Sequence, residues 1–164
     1  MSRAFVKETD ADTIDLPDRP VSPHPNFVTA EGFSAIEREL ERLDAAHRAA
    51  VASGDKAAIA AVQRELRYWT ARRASAQVVE PTSPPFTPPL AGENVERAVQ
   101  FGDNVTVRRD HGRTQSFRIV GEDEAEPSRG TLSHVSPLAR ALFGKAVGDT
   151  VEVAGGAAEI LAIT

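Results

Sequence analysis

The sequence predicts an α+β protein: an N-terminal antiparallel pair of α-helices followed by a small domain of antiparallel β-sheet with one short helix. Three observations carry that prediction. Two stretches have apolar residues recurring at alternating spacings of three and four, a proline-rich break follows over residues 80–92, and beyond it apolar residues alternate as they do in strands, around a single helix start.

The first 28 residues come before any of this. They hold Glu8, Asp10, Asp12, Asp15 and Asp18 with Pro17, Pro20, Pro23 and Pro25, and no apolar period. Such a segment buries too little to offset its ordering entropy, so residues 1–28 are expected to form an extended or disordered tail. Only Phe27 and Val28, at its end, are suited to local packing.

Residues 29–79 are expected to form a helical hairpin. Thr29 is placed as an N-cap, and Phe33, Ile36, Leu40, Leu43, His47 and Ala50 then mark one heptad seam. Ile59, Val62, Leu66, Trp69, Arg73 and Ala76 mark a second. Between them Gly54 suits a helix C-terminus and Asp55 the next N-cap, which makes the connection a tight reversal. Antiparallel pairing about Gly54 and Asp55 sets Ala50 opposite Ile59, Leu43 opposite Leu66, Leu40 opposite Trp69 and Phe33 opposite Ala76. His47 and Arg73 are the polar seam members, expected to set register or lie at an edge.

Residues 80–96 read as a semi-rigid interdomain linker, because Pro81, Pro84, Pro85, Pro88 and Pro89 can continue neither a helix nor a central strand. In residues 97–164, Val105 with Val107, Phe117 with Ile119, Val151 with Val153, and Ile160 read as strands. Asp110-His111-Gly112 and Ala154-Gly155-Gly156 are turn signals between them. Ser136 is positioned to cap a short helix that starts with Pro137 and ends at Gly144.

Composition bounds the chemistry. The 164 residues hold one ordinary domain or two small ones, with 41% apolar residues, and there is no cysteine for a disulfide or thiolate metal site. No apolar run approaches the roughly 18 residues that span a bilayer, and the start of the chain lacks the apolar core of a signal peptide, so a soluble cytoplasmic protein with no membrane partner is expected. A net charge of −5 argues against sequence-specific duplex-DNA binding and for a protein partner. His24, His47, His111 and His134 fall at no ligand spacing, and the glycines match no phosphate-cradling loop. No metal, cofactor or enzymatic constellation is expected, and the expected state is a monomer.

The run Ser136-Pro137-Leu138-Ala139-Arg140-Ala141-Leu142-Phe143-Gly144-Lys145, followed by Val147-Gly148-Asp149, resembles the signature of the C-terminal domain of GreA/GreB transcript cleavage factors. Phe101-Gly102-Asp103-Asn104-Val105-Thr106-Val107 and Phe117 to Pro127, with its acidic loop, resemble the strands that precede it there, in the same order. The resemblance implies an FKBP-like domain that anchors the protein to RNA polymerase, with Ser136, Pro137, Leu138 and Ala139, and also Asp123, at the contact. It does not imply prolyl isomerase activity, since those pockets are lined by aromatics and residue 101 onward supplies only Phe101, Phe117 and Phe143.

The resemblance also implies a role for the hairpin tip. In Gre factors the coiled coil enters the secondary channel of RNA polymerase, and acidic tip residues help the polymerase hold a second magnesium for cleavage of backtracked RNA. The family pattern there is Gly-Asp, two residues, then Glu-Asn-Ala, whereas this chain reads Gly54-Asp55-Lys56-Ala57-Ala58-Ile59-Ala60. Asp55 matches the first acid and Ala58 replaces the second, with Lys56 beside the remaining carboxylate. Each arm is also about one heptad shorter than usual in the family, which at 1.5 Å per residue retracts the tip by roughly 10–15 Å. The second helix is basic, with Lys56, Arg64, Arg67, Arg72 and Arg73 against Glu65 alone; by the resemblance Arg64 and Arg67 are candidate contacts to the 3′ end of the nascent RNA.

These features imply a GreA/GreB-type elongation regulator that binds RNA polymerase with weak or no stimulation of transcript cleavage. The alternative is a genuine cleavage factor acting through Asp55. A chaperone or isomerase is the remote third class.

Overall fold

The computed structural model describes residues 14–81 and 97–164. Tail residues 1–13 and nearly all of the expected linker lie outside the described residues. The chain divides into two compact units: the segment ending at Ser22 with Ile36–Ala74, and Pro23–Ala35 with Ser75–Thr164.

The first unit holds most of the helical hairpin formed by α1 (Ala30–Ser53) and α2 (Lys56–Ser75); the first turn and a half of α1 and the last residue of α2 belong to the second unit. Ile36, Leu43 and Ala50 are buried at intervals of seven, the stripe the sequence predicts for α1. The reversal is a Schellman turn. Gly54 takes φ 70°, its N–H donates to Val51 O at 3.2 Å, and the Asp55 N–H donates to Ala50 O at 3.3 Å. Two pairs fix the antiparallel register, His47 Nε2 with Gln63 Nε2 at 3.3 Å and Arg73 with Glu37 at 3.1 Å.

The stripe on α2 departs from the prediction. Tyr68 and Arg72 are buried, whereas Arg73 is exposed in its ion pair and Trp69 is half-buried. The cause for Tyr68 is the preceding segment: residues 14–22 have no regular element but lie along α2, with Arg19 over the Tyr68 ring. The buried face of α2 is therefore wider than one seam. Residues 14–22, expected as an extended or disordered tail, carry no helix or strand and run along this face.

The second unit is built on a five-stranded sheet. Its strands are β3 (Asn104–Arg109), β4 (Thr114–Val120), β5 (Thr131–Ser133), β6 (Thr150–Val153) and β7 (Gly156–Ile163), in the order β5-β4-β3-β7-β6. A separate two-stranded parallel sheet pairs β1 (Phe27–Val28) with β2 (Gln77–Val78). The helix α3 (Pro137–Leu142) packs Leu138, Ala139 and Leu142 into one core with Val105, Val107, Ile119, Val151, Ala158 and Ile160. Alternation in β3 sends Val105 and Val107 inward, and a bulge between Thr106 and Val107 skips one residue of β7, leaving Leu161 exposed.

The sheet is antiparallel, as expected, except at one edge. In the structure β5 pairs with β4 in parallel, Ile119 opposite Leu132, after a connection through two short 3-10 turns at Glu122–Glu124 and Pro127–Arg129. Three residues are too few to show an alternation in sequence.

Candidate functional site

The hairpin tip is a helix start. Asp55 is exposed, and its Oδ1 accepts the Ala58 N–H at 3.0 Å. Its main-chain oxygen accepts the Ile59 N–H at 2.9 Å. That is the N-cap the sequence predicts, and it commits one carboxylate oxygen to the backbone. Ala58, at the position of a second acid, contributes a methyl group. Among the described residues no group of three or more His, Cys, Asp or Glu side chains converges on a place for a metal ion.

The basic face of α2 is engaged from within the same unit. Arg67 Nε donates to Asp18 Oδ1 at 2.5 Å and its Nη2 to Leu16 O at 3.1 Å. Arg19 Nη1 donates to Glu65 Oε2 at 2.8 Å, with its guanidinium centre 3.8 Å from the Tyr68 ring centroid and 5.8 Å from that of Trp69. Arg64, the other candidate RNA contact, is half-buried, and its Nε has no hydrogen-bond partner among the described residues.

The helix-start motif sits in the second unit. Ser136 caps α3 through Oγ, which accepts the Ala139 N–H at 3.2 Å, and Pro137 occupies the first helical position, where no N–H is needed. The four residues of the motif then divide by burial. Pro137 is exposed, while Leu138 is 9% exposed and Ala139 0%. Leu138 and Ala139 are core residues that orient the turn, and Pro137 and Arg140 are its exposed members.

The acidic loop contains a residue that sequence reading treats as solvated. Glu124 Oε2 accepts N–H bonds from Thr29 and Gly121, each at 3.0 Å, and Oε1 accepts the Thr29 hydroxyl. Thr29 Oγ1 in turn accepts the Gly32 N–H at 3.0 Å, capping α1. The carboxylate lies so close to α1 that a Cβ on Gly32 would fall 2.0 Å from Glu124 Cδ. The sequence separation of 95 residues leaves no local pattern that would pair Thr29 with Glu124. Asp123, next to it, is half-buried. Nearby, His134 is buried edge-on against Phe27 and Phe101, with centroids 5.4 and 5.7 Å away.

At the start of α1, Glu31 and Arg118 form an ion pair at 3.3 Å. The Glu31 carboxyl is held below its usual value, first by its own backbone N–H and then by the Arg118 charge. An acid in the first turn also complements the helix dipole.

Comparison with known proteins adds a finding that the geometry cannot supply. The family described as "Transcription elongation factor, GreA/GreB, C-term" matches residues 94–164. Transcription elongation factor GreA of Phenylobacterium zucineum is 34% identical over 145 residues, covering 77% of this chain and 86% of its own length. Transcription elongation factor GreB of Haemophilus influenzae is 32% identical over 146 residues, covering 78% of this chain and 86% of its own. Among solved structures, GreA factor homolog 1 (Gfh1) of Thermus thermophilus aligns with a TM-score of 0.40 at 18% identity, over 86% of this chain and 99% of its own.

Proposed function

Because the chain belongs to the GreA/GreB family of transcription elongation factors, we propose that it binds RNA polymerase near the secondary channel and modulates elongation with little or no stimulation of transcript cleavage. It acts as a binding protein whose second unit docks through the Ser136–Pro137 turn, while the hairpin is the part directed toward the active site.

The observation that supports this reading most directly is the tip. A second magnesium needs carboxylate oxygens converging on it, and this tip offers one carboxylate that already caps α2. Lys56, the next residue, disfavours a cation further. The second reading, a true cleavage factor, draws on the exposure of Asp55, whose capping hydrogen bond uses Oδ1 alone.

A cleavage assay on backtracked complexes separates the two. The proposal expects intact transcripts, and no gain from Ala58→Glu alone. Rapid transcript shortening that vanishes in Asp55→Ala would establish the second reading. For docking, Pro137→Glu changes an exposed position that donates no hydrogen bond, so it should abolish copurification with RNA polymerase while circular dichroism stays native. Undiminished copurification would place the contact elsewhere.

A further inference from the structure

The segment Leu16–Arg19 covers α2 in a manner that imitates a ligand. Asp18 Oδ1 and the Leu16 carbonyl present two acceptors to one edge of the Arg67 guanidinium, at 2.5 and 3.1 Å. A phosphate group presents the same pair of acceptors to an arginine fork. One residue further, the flat Arg19 guanidinium covers the Tyr68 ring at 3.8 Å, where a nucleobase would stack. Trp69 stands edge-on to Tyr68, with centroids 5.3 Å apart and the planes at 88°. Beneath the segment are thus an arginine and a pair of aromatic rings, spaced as neighbouring positions of one helix.

The segment is held lightly. Ile14 and Val21, which flank it, are 48% and 45% exposed, and of its own apolar residues only Leu16 is half-buried, so its apolar anchoring is small. Its two ion pairs are also open to water, with side-chain exposures of 45% and 73% for Arg67 and Asp18, and 37% and 34% for Arg19 and Glu65. Exposed ion pairs and cation–π contacts each shift an equilibrium only a few-fold, so together they close the face by roughly tenfold.

We propose that Leu16–Arg19 is an internal strap that keeps this face of α2 closed, and that the face takes the phosphate and base of single-stranded RNA when the strap lifts. The inference rests on the proposed action at RNA polymerase, which brings a transcript to the protein. A ligand that must displace the strap binds with an affinity reduced by the fraction of open molecules. A duplex hides its base faces and can use only the arginine.

The test is the double variant Asp18→Asn with Arg19→Ala, in which one negative and one positive charge are lost and the net charge stays at −5. Any gain in RNA affinity then reflects access rather than overall charge. Trp69 is the only tryptophan in the chain, so its emission reports lifting of the strap directly. Binding of a fluorescein-labelled oligouridine of about ten nucleotides is read by anisotropy on the purified full chain, without polymerase. The expected result is an emission shift to longer wavelength and an affinity roughly tenfold tighter than wild type, with the gain abolished by adding Arg67→Ala and smaller for duplex RNA.

An unshifted emission would show that these contacts do not hold the segment, and shifted emission with unchanged RNA affinity would show that the covered face is not an RNA site. Either overturns the proposal, as does a gain that survives Arg67→Ala. An equal gain for oligoglutamate would reassign the face to an acidic protein partner. Polymerase copurification, measured on the same preparations, fails only if the underlying reading fails.

Discussion

Removing the Glu124 carboxylate should loosen the start of α1, and the substitution at Gly32 reveals why. Glu124 accepts two backbone N–H bonds and one hydroxyl bond. Hydrogen bonds to a charged acceptor contribute about 1.5–3 kcal/mol each when considered singly, but they are not additive at a half-exposed site. Glu124→Ala is therefore expected to lower the stability of the second unit by about 2–4 kcal/mol, since it also leaves the Thr29 and Gly121 N–H groups without their acceptor.

Gly32→Ala is the sharper probe. In the wild-type background the new Cβ would lie 2.0 Å from Glu124 Cδ, so the carboxylate must swing out and its bonds are lost. Alanine meanwhile favours the helix over glycine by about 0.5–1 kcal/mol. The net expectation is a loss of about 1.5–3 kcal/mol in wild type, turning into a gain of about 0.5–1 kcal/mol in the Glu124→Ala background. Urea unfolding of the four proteins, followed by circular dichroism, measures the cycle. Gly32→Ala that is neutral or stabilising in the wild-type background would refute the reasoning, because a carboxylate seated against α1 cannot tolerate the added methyl group.

Two further outcomes follow from the same kind of contact. Asp55→Ala removes the cap on Ala58 N–H and should lower hairpin stability by about 1 kcal/mol, read as a lower urea midpoint with an unchanged slope. The lowered Glu31 pKa means that the unfolded chain binds the proton more readily, so this group's contribution is present above the ordinary glutamate value of 4.5 and is lost as pH falls through the lower folded value. Glu31→Gln should accordingly show a shallower fall in stability on acidification over that range, with its difference from wild type largest near neutrality.

The parts of the fold legible in sequence are those whose causes lie within a few residues. Ile36, Leu43 and Ala50 announce themselves by spacing, Gly54 by the left-handed turn that L-residues resist, and Ser136-Pro137 by cap chemistry. What escaped depends on distant partners. The β5 strand is three residues long and pairs in parallel, and Phe27–Val28 forms a strand only because Gln77–Val78 lies beside it. Tyr68 is buried by Arg19, 49 positions earlier in the chain, rather than by the opposing helix alone. Of the candidate site residues, Asp55 and Pro137 are exposed, Leu138 and Ala139 face the core, and Arg67 is paired with Asp18.

A common thread links the acidic residues that matter here. Asp55 accepts from Ala58 N, Asp103 from Gln100 N, Asp110 from Ala157 N, Asp149 from Ala146 N, and Glu124 from Thr29 N and Gly121 N. In each case the carboxylate completes a turn, a helix start or a junction between strands, satisfying a backbone donor that would otherwise lack a partner. An excess of acid in the composition therefore does not by itself signal cation binding, because these groups are distributed along the backbone rather than gathered at one point. A magnesium ion is held by converging oxygens, and a single capping carboxylate beside a lysine supplies the local structure of the hairpin without supplying that convergence.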